Sequence, residues 1–240
     1  MTHNIEELRD RFYKLIETLD EDFEMSRYIT EEFCPEDLYS EWSEFDEAAT
    51  HYGVWCGTGA TKFVIGDENH DYVIKFQPQY AEYYDYCAKE EDVYLEAELR
   101  GLNKHFAWTT HLFDYTFEYS GVVVTLPIYV MEWCQCGYEY IDDEADEYNY
   151  QTFIAEEGLE DCDNSRDKYY SDGKYRKSCE ERLFAWAESM WGNLNTLKDF
   201  LRSMCVNDLH AGNWGWCDNK IVLVDYSGYG ENEGEREIEF

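Results

Sequence analysis

The sequence predicts an α+β fold, with an antiparallel sheet in its first half and a mainly helical second half. Apolar residues make up 44% of the 240 residues and aromatic residues 18%, which is enough to bury a substantial core. Between residues 52 and 133, short β-branched and aromatic runs alternate with turn residues, as is typical of strands. On both sides of this region, apolar residues recur at the spacing of amphipathic helices.

The first predicted element is an amphipathic helix near the N-terminus. Its apolar residues follow an i, i+3, i+7 spacing with acidic residues on the other face, and they are Ile5, Leu8, Phe12, Leu15, Ile16 and Leu19. An acidic and aromatic connector follows from Asp20 to about Thr50. We therefore expect residues 1–50 to form a helical extension that precedes the sheet.

A meander of three strands is predicted next. The strand-like runs are 52–55, 62–65 and 72–76. The turns between them are expected at Gly57 and Gly59 and at residues 66–69.

A helix from about Tyr83 to Leu102 is predicted to follow the meander. Two further strands are expected at His111–Tyr119 and Val122–Trp133, joined by a Ser-Gly turn. The second of these strands contains Pro127, which lacks a backbone N–H and should therefore lie at an edge or a bulge.

The stretch after this sheet is strongly acidic. There is no Lys or Arg between Lys104 and Arg166, and residues 139–163 alone hold eleven carboxylates. We assign residues 135–179 to an acidic, solvated insertion. A charge run that merely keeps the protein soluble explains this composition equally well.

The strongest helical pattern of the chain starts at Glu180. Its apolar positions alternate steps of four and three residues, and they are Leu183, Ala187, Met190, Leu194, Leu197, Leu201 and Met204. A short hairpin of residues 214–216 and 221–224 is predicted after it. No internal repeat is visible.

The charge limits the classes of partner. There are 19 Lys and Arg residues against 54 Asp and Glu residues, which gives a formal net charge of −35. Binding to a nucleic-acid backbone is therefore excluded as an activity, and we expect a basic host or partner protein instead. Because the chain has no long apolar run and no basic, apolar leader at its N-terminus, we expect a soluble protein with no membrane contact.

Nine cysteines, an odd number scattered through the chain, indicate reduced thiols and a cytoplasmic location. One tight pair, Cys134 and Cys136, is a C-x-C without a second pair at zinc spacing. A structural metal is therefore not expected.

The run Asp208-Leu209-His210-Ala211-Gly212-Asn213, followed twelve residues later by Asp225, carries the most specific chemistry of the chain. Transfer of a γ-phosphoryl group needs a carboxylate that accepts the proton of the attacking hydroxyl, and oxygen ligands that hold Mg²⁺. Asp208 fits the first role, and Asn213 and Asp225 fit the second. The alternative, in which Asp208 is a turn residue and Asn213 a cap, leaves the spacing to Asp225 unexplained.

These residues resemble the catalytic loop of the aminoglycoside and choline kinase branch of the protein-kinase-like fold, where an Asp-Leu-His-Pro-Gly-Asn run is usual. The order of predicted elements over about residues 51–229 is also similar to that fold. The resemblance implies two lobes, with an N-lobe at 51–134 and a minimal C-lobe at 180–240, and it implies ATP and Mg²⁺ as cofactors. Because the chain ends fifteen residues after Asp225, we expect a truncated C-lobe.

The upstream half carries further resemblances. The run Gly57-Thr58-Gly59-Ala60-Thr61-Lys62-Phe63-Val64 is similar to the glycine-rich loop that covers the phosphates, with Lys62 in place of the third glycine. Val73-Ile74-Lys75 resembles the third-strand motif whose lysine contacts the α- and β-phosphates and pairs with a helix glutamate. The resemblance thus implies cofactor contacts for Gly57, Gly59, Lys62 and Lys75.

Two parts of the implied site are less specific. The candidates for the partner of Lys75 are Glu90, Glu91, Glu96 and Glu98. Counting back from Leu102 favours Glu96, and Glu91 is the second choice. The run 127–134 resembles the fifth strand and hinge, with Met131 as gatekeeper and the backbone of Glu132 and Cys134 facing adenine, although an ordinary core strand would show the same apolar pattern.

Two departures from the family pattern bear on the activity. Val206 stands where this fold often has a histidine, and the glycine of Asp225-Tyr226-Ser227-Gly228 is one place late. The sequence supports an ATP- and Mg²⁺-dependent phosphotransferase, since Lys75, Asp208, Asn213 and Asp225 are all present. The alternative, favoured by the charge, is a kinase-like binding module whose acidic surface engages or inhibits a basic, nucleic-acid-binding partner.

Overall fold

The computed structural model describes residues 4–23, 55–58, 62–66, 71–77, 85–136, 171–209, 211–217 and 220–227. The helices in these ranges are α1 (Ile5–Phe23), α2 (Tyr86–Leu99), α3 (Gly173–Trp191) and α4 (Asn195–Ser203), with short 3₁₀ turns at Asn103–His105 and Ala211–Asn213. The strands are β1 (Trp55–Thr58), β2 (Phe63–Gly66), β3 (Tyr72–Phe76), β4 (Thr109–Tyr119), β5 (Val122–Glu132), β6 (Gln135–Cys136), β7 (Trp214–Cys217) and β8 (Lys220–Leu223). The predicted mixture of helices with an antiparallel sheet is confirmed.

The chain divides into two compact units. The first consists of Met1–Glu91 and Trp108–Trp133, and the second of Asp92–Ala107 and Cys134–Phe240. None of the helices within the described ranges is long and apolar enough to cross a membrane.

The first unit is built on a five-stranded antiparallel sheet with the order β1-β2-β3-β5-β4. Helix α1 forms as the sequence predicts, and its apolar stripe packs in one core with inward-facing residues of the sheet. The buried members of that stripe are Leu8, Phe12, Ile16 and Leu19. Polar contacts fix the same helix, since Arg9 Nε donates to the carbonyl oxygen of Leu112 at 3.0 Å and Arg11 forms a bidentate pair with Asp71.

The strands differ from their predicted positions at two points. Strand β1 starts at Trp55 and includes Gly57, which is paired with Val64, so Gly57 lies in a strand and not in a turn. The predicted Gly59 turn lies outside the described residues. Pro127 lies in β5, which is an interior strand of the sheet. On one side of β5 the pairing with β3 ends at Tyr129, before Pro127 is reached. On the other side, Pro127 is paired with Asp114 of β4. A proline is tolerated at this point because the ladder with β3 has already ended.

The second unit contains a three-stranded antiparallel sheet with the order β6-β7-β8. The predicted hairpin is present as β7 and β8. Aromatic side chains contribute to the core of this unit, where the rings of Phe184 and Trp214 lie edge to face with their centroids 5.3 Å apart. Strand β6 was not expected, since residues 135–136 fall within the range assigned to the acidic insertion.

The helix predicted from Glu180 to Met204 is in fact two helices. Helix α3 ends at Trp191, and its C-cap is Gly192, which has a φ of +79° and donates its N–H to the carbonyl oxygen of Glu188. Such a left-handed φ suits glycine and stops the helix. The apolar spacing continues unchanged into α4, so the spacing alone does not reveal the break.

Helix α3 also begins earlier than predicted, at Gly173, within the range 135–179. Asp172 is its N-cap, and its side chain accepts hydrogen bonds from the backbone N–H groups of Lys174 and Tyr175 at 3.0 and 3.2 Å. Helix α2, by contrast, is shorter than the predicted range 83–102. The acidic run 139–163 and most of the connector after Asp20 lie outside the described residues.

Replacing the Asp172 cap should destabilise the second unit modestly. Asp172→Ala leaves two N–H groups of the first turn of α3 without their side-chain acceptor, which should lower the free energy of unfolding by about 1 kcal/mol. Asp172→Asn keeps an acceptor oxygen and should retain most of that stability. Urea titrations of the three proteins check this, and equal midpoints for Ala and wild type would mean that α3 does not begin at this cap.

Candidate functional site

Lys75 projects from the face of the first unit's sheet that is opposite α1. Side chains alternate along β3, and Ile74 and Phe76 lie in the core with α1, so Lys75 points the other way. Its neighbours across the sheet are Val64 of β2 and Tyr129 of β5. Lys75 is only 6% exposed, and an ammonium group at such a place requires a partner.

The partner of Lys75 is Glu90 of α2, and the predicted choice of Glu96 is wrong. Lys75 Nζ lies 3.2 Å from Glu90 Oε2 and 3.4 Å from Oε1. Glu96 instead pairs with Arg100, one turn further along the helix, at 2.7 Å. Glu91, the second choice, accepts hydrogen bonds from Thr110 Oγ1 and from a backbone N–H of β4, each at 2.7 Å.

The burial pattern of α2 explains why Glu90 is the partner. Glu90 is 1% exposed and lies in a buried stripe at i, i+3 and i+7 spacing that also contains Cys87, Tyr94 and Ala97. Glu96 lies about 240° further around the helix, at 100° per residue, and is on the outer face. The stripe was visible in the sequence and was the signal that could have identified Glu90.

Lys62 joins the same cluster, which the sequence did not predict. Lys62 immediately precedes β2, is 5% exposed, and its Nζ lies 2.7 Å from Glu90 Oε1. Its ammonium group is thus held at the carboxylate of α2, whereas the sequence placed Lys62 in the loop over the phosphates. One buried glutamate therefore contacts two buried lysines.

Two neighbours of this cluster, Cys87 and Tyr129, are uncharged. Burial raises the pKa of the Cys87 thiol well above its usual range, so Cys87 is neither a thiolate nor a nucleophile. Burial, together with the nearby charges of Asp85 and Glu91, likewise raises the pKa of the Tyr129 phenol. In such a poorly hydrated environment, contacts between the ammonium and carboxylate groups are stronger than at the surface.

The second unit links Asp208, Asn213 and Asp225, the three residues of the predicted phosphate-transfer motif. Asn213 is buried, and its Nδ2 donates to the backbone carbonyl oxygen of Asp208 at 2.9 Å, which closes the loop between them. The carbonyl oxygen of Asn213 accepts the N–H groups of Val224 at 2.9 Å and Asp225 at 3.4 Å. Asn213 therefore ties the loop to the end of β8.

Further hydrogen bonds fix the loop after Asp208 and the residues around Asp225. Ser227 Oγ donates to Asp225 Oδ1 at 3.2 Å, a contact that the sequence did not suggest. Tyr226 is buried, and its hydroxyl donates to the carbonyl oxygen of Ala107 at 2.8 Å. Trp214 Nε1 donates to the carbonyl oxygen of Leu209 within the loop at 3.3 Å. Val206, at the position where the fold often has histidine, is fully buried.

The remaining predicted contacts concern the hinge. The backbone N–H of Glu132 donates to the carbonyl oxygen of Trp108 at 3.0 Å. The carboxylate of Glu132 accepts a hydrogen bond from the backbone N–H of Trp108 at 2.7 Å. This N–H of Glu132 is thus engaged within the first unit and does not face a base. Cys134 is buried in the second unit.

Comparison with known proteins adds little to these observations. No protein-family model matches the chain, and no curated protein matches it. Among solved structures it is similar to an aminoglycoside phosphotransferase from Alicyclobacillus acidocaldarius subsp. acidocaldarius DSM 446, with 14% identity, a TM-score of 0.29, and coverage of 72% of this chain and 61% of that one. The chain thus spans about three fifths of the length of that protein. A likeness of this extent does not carry an argument, so the function has to rest on the chain's own residues.

Proposed function

We propose that this chain is a kinase-like phosphotransferase of two lobes that uses ATP and Mg²⁺. The observation that carries the proposal is the set of hydrogen bonds through which Asn213 joins the Asp208 loop to Asp225. A carboxylate for proton transfer and a pair of hard oxygen ligands for Mg²⁺ are what phosphoryl transfer requires. The buried pair of Lys75 and Glu90 supplies the third requirement, an oriented ammonium group for the phosphates.

Lys75 is assigned to the α- and β-phosphates. Its ammonium group is held by Glu90 on the face of the sheet opposite α1, so less side-chain entropy is lost when an anion binds. An oriented charge in a poorly hydrated site acts on phosphate more strongly than one in water.

Asp208 is assigned to the acceptor. Its carboxylate orients the attacking hydroxyl and accepts its proton, while the hydroxyl oxygen forms a bond to the γ-phosphorus and the bond to the bridging oxygen breaks, leaving ADP. The loop closed by Asn213 fixes the backbone from which this carboxylate projects.

Asn213 and Asp225 are assigned to Mg²⁺. Their donor set fits this ion, since carboxylate and amide oxygens are the ligands it prefers. Because Nδ2 of Asn213 donates to Asp208, the amide oxygen is the atom that Asn213 would offer. When bound, Mg²⁺ neutralises charge on the phosphate oxygens.

The acceptor is proposed to be a basic protein. A net charge of −35 repels polyanions and attracts cationic surfaces, so it favours a basic protein over a nucleic acid. The same charge favours the second candidate function, a kinase-like module that binds and inhibits a basic partner without transferring phosphate. Transfer of label from γ-labelled ATP distinguishes the two.

ATP with Mg²⁺ should raise the melting temperature. A ligand at 100 times its Kd stabilises the native state by about 2.7 kcal/mol, which corresponds to a rise of roughly 5–10 °C for a domain of this size. Asp225→Asn should remove the Mg²⁺-dependent part of the shift. Asp199→Asn is the matched control, since it removes one exposed carboxylate from the same unit and should leave the shift unchanged.

The measurement is a thermal melt with ATP, with Mg²⁺, and with both. A melting curve that does not move at millimolar ATP and Mg²⁺ would rule out the enzyme and leave only the binding module.

A further inference from the structure

We propose that Cys134 and Cys217 form a redox site, a pair of thiols in the second unit that closes to a disulfide under mildly oxidising conditions. Both residues are thiols in this structure. The inference goes beyond the proposed function, because it concerns covalent chemistry of the chain itself and holds for the enzyme and for the binding module alike.

The register of β6 with β7 places the two cysteines opposite each other. Gln135 of β6 is paired with Trp216 of β7. Because the strands are antiparallel, the residue before Gln135 comes to lie opposite the residue after Trp216. These two residues are Cys134 and Cys217. Directly opposed residues of an antiparallel pair have Cα atoms about 4.5–5.5 Å apart, which lies within the range of about 4.4–6.8 Å that a disulfide spans.

The sulfur atoms of the two residues are also close together. The Sγ atoms of Cys134 and Cys217 lie within 4.8 Å of each other. A disulfide bond is about 2 Å long, so the sulfurs must approach further before they can react. Since the backbone spacing of the ladder already suits a disulfide, rotation of the two side chains can close the remaining distance.

The two thiols differ in their access to solvent, which assigns them different roles. Cys217 is half-buried, whereas Cys134 is buried. Reaction with an oxidant dissolved in water requires access to the sulfur. A small oxidant such as glutathione disulfide therefore reacts first with Cys217, and Cys134 resolves the product.

Disulfide formation proceeds through two exchange steps. The thiolate of Cys217 attacks one sulfur of glutathione disulfide, which forms a mixed disulfide and releases one glutathione. The thiolate of Cys134 then attacks the Cys217 sulfur and releases the second glutathione. Two protein thiols are oxidised, one glutathione disulfide is reduced, and the two thiol protons pass through solvent to the released glutathione molecules. Exchange of this kind is reversible, as suits a redox-sensing pair in a cytoplasmic protein.

The disulfide would join two strands that a short ladder holds together. Strand β6 is two residues long, and its register with β7 comprises two pairs. A covalent bond next to this ladder would keep β6 on β7 and close a loop over residues 134–217, which contains α3, α4 and the Asp208 loop. Because a cross-link restricts the unfolded chain, the oxidised protein should resist urea better than the reduced protein.

A packing role for the two cysteines is the competing explanation. Buried cysteines often behave as small apolar side chains, and such residues stay reduced when the oxidant cannot reach them or when the sulfurs cannot meet. The two explanations differ in reactivity, because only a redox pair forms a specific link in the folded chain.

The test incubates the full chain in glutathione buffers that contain increasing fractions of glutathione disulfide, with EDTA to remove metal ions that would block thiols. Digestion with pepsin at low pH suppresses thiolates and hence further exchange, and tandem mass spectrometry then identifies the linked cysteines. The variants are Cys134→Ser and Cys217→Ser. Cys136→Ser is the matched control, since it removes the neighbouring cysteine of the same C-x-C run.

Wild type and Cys136→Ser should yield a link between residues 134 and 217 that dithiothreitol reverses, whereas Cys134→Ser and Cys217→Ser should lose it. Oxidation should raise the urea midpoint of wild type and of Cys136→Ser. The same treatment should leave the midpoints of Cys134→Ser and Cys217→Ser unchanged.

A link that is absent from wild type at every buffer ratio, or that forms only after the chain is unfolded in urea, would overturn the inference and leave the two cysteines as packing residues. A link from Cys217 to Cys136 in place of Cys134 would overturn it equally. These readouts come from the wild-type chain, so they decide the question even where a serine variant is unstable. None of them involves ATP, so a failure of the proposed function is a separate result.

Discussion

Asp208→Ala is expected to lower the rate of phosphate transfer by about 10² to 10⁴ while the affinity for ATP with Mg²⁺ stays within a few-fold of wild type. Groups that accept a proton from the attacking nucleophile typically contribute a rate factor of this size. The affinity should persist because the proposed contacts of the nucleotide are with Lys75, Asn213 and Asp225, and Asp208 faces the acceptor hydroxyl.

The measurement follows label from γ-labelled ATP into basic proteins and into the chain itself, with release of ADP measured in parallel. Asp199→Ala is the control, since it removes an exposed carboxylate of α4 in the same unit. The backbone carbonyl of residue 208 remains in Asp208→Ala, so the hydrogen bond from Asn213 Nδ2 should persist and the loop should stay closed. Transfer at the wild-type rate in Asp208→Ala would show that the loop is not catalytic.

A wild-type chain that transfers no phosphate would argue against the enzyme itself, and not only against the role of Asp208. If ATP binds but no label moves to any basic protein, the enzyme fails and the binding module, with its acidic surface, becomes the better explanation. The same experiment therefore decides between the two functions that the sequence supports.

The elements that the sequence predicts well are those in which one local period decides the structure. In α1 and in β3, the apolar residues that the sequence spaces at the helical or strand period are the ones that lie in the core. The predicted type and place of both elements therefore agree with the structure. The end of α3 was missed because Leu194 and Leu197 continue the helical spacing across Gly192. The break depends on the backbone conformation of one glycine, which the apolar pattern does not register.

The candidate site shows the same limit. The spacing of Asp208, Asn213 and Asp225 predicts that they are linked, and Asn213 is hydrogen-bonded to backbone atoms of the other two, because a short loop and the following hairpin leave little freedom. The partner of Lys75 was predicted incorrectly because it was counted from a family spacing. The burial of each turn of α2, where Glu90 shares a face with Cys87 and Ala97, was the better guide.

Lys62 was not expected to be an ion-pair partner for a related reason. A lysine after two glycines resembles part of a loop, and its contact with Glu90 spans 28 positions of sequence. Contacts of that range depend on how the sheet and the helix pack together, which no local pattern contains.

Glu90→Gln is expected to lower the free energy of unfolding of the first unit by about 3–5 kcal/mol. The carboxylate of Glu90 is 1% exposed and contacts the ammonium groups of both Lys62 and Lys75. Removing one member of a buried ion pair costs this much because the remaining charge stays buried without that counter-ion. The amide of glutamine keeps the shape of the side chain, so the loss is due to charge and not to a cavity.

Glu96→Gln is the matched control, because it makes the same chemical change six residues further along the same helix. Glu96 pairs with Arg100 on the exposed face, and a pair of that kind contributes only about 0.5 kcal/mol. Urea titrations followed by fluorescence and circular dichroism give both values. Equal and small losses for the two variants would mean that the cluster around Glu90 does not form in solution.

Removing the two lysines together with Glu90 should recover much of the stability lost in Glu90→Gln. The triple variant Lys62→Gln, Lys75→Gln and Glu90→Gln no longer contains the buried charges, and replacing a whole buried ionic group is often nearly neutral. The recovery would show that the cost of Glu90→Gln comes from the two ammonium groups. If the triple variant is instead less stable than Glu90→Gln, the lysines stabilise the fold by packing, and the buried charges are not the main source of the loss.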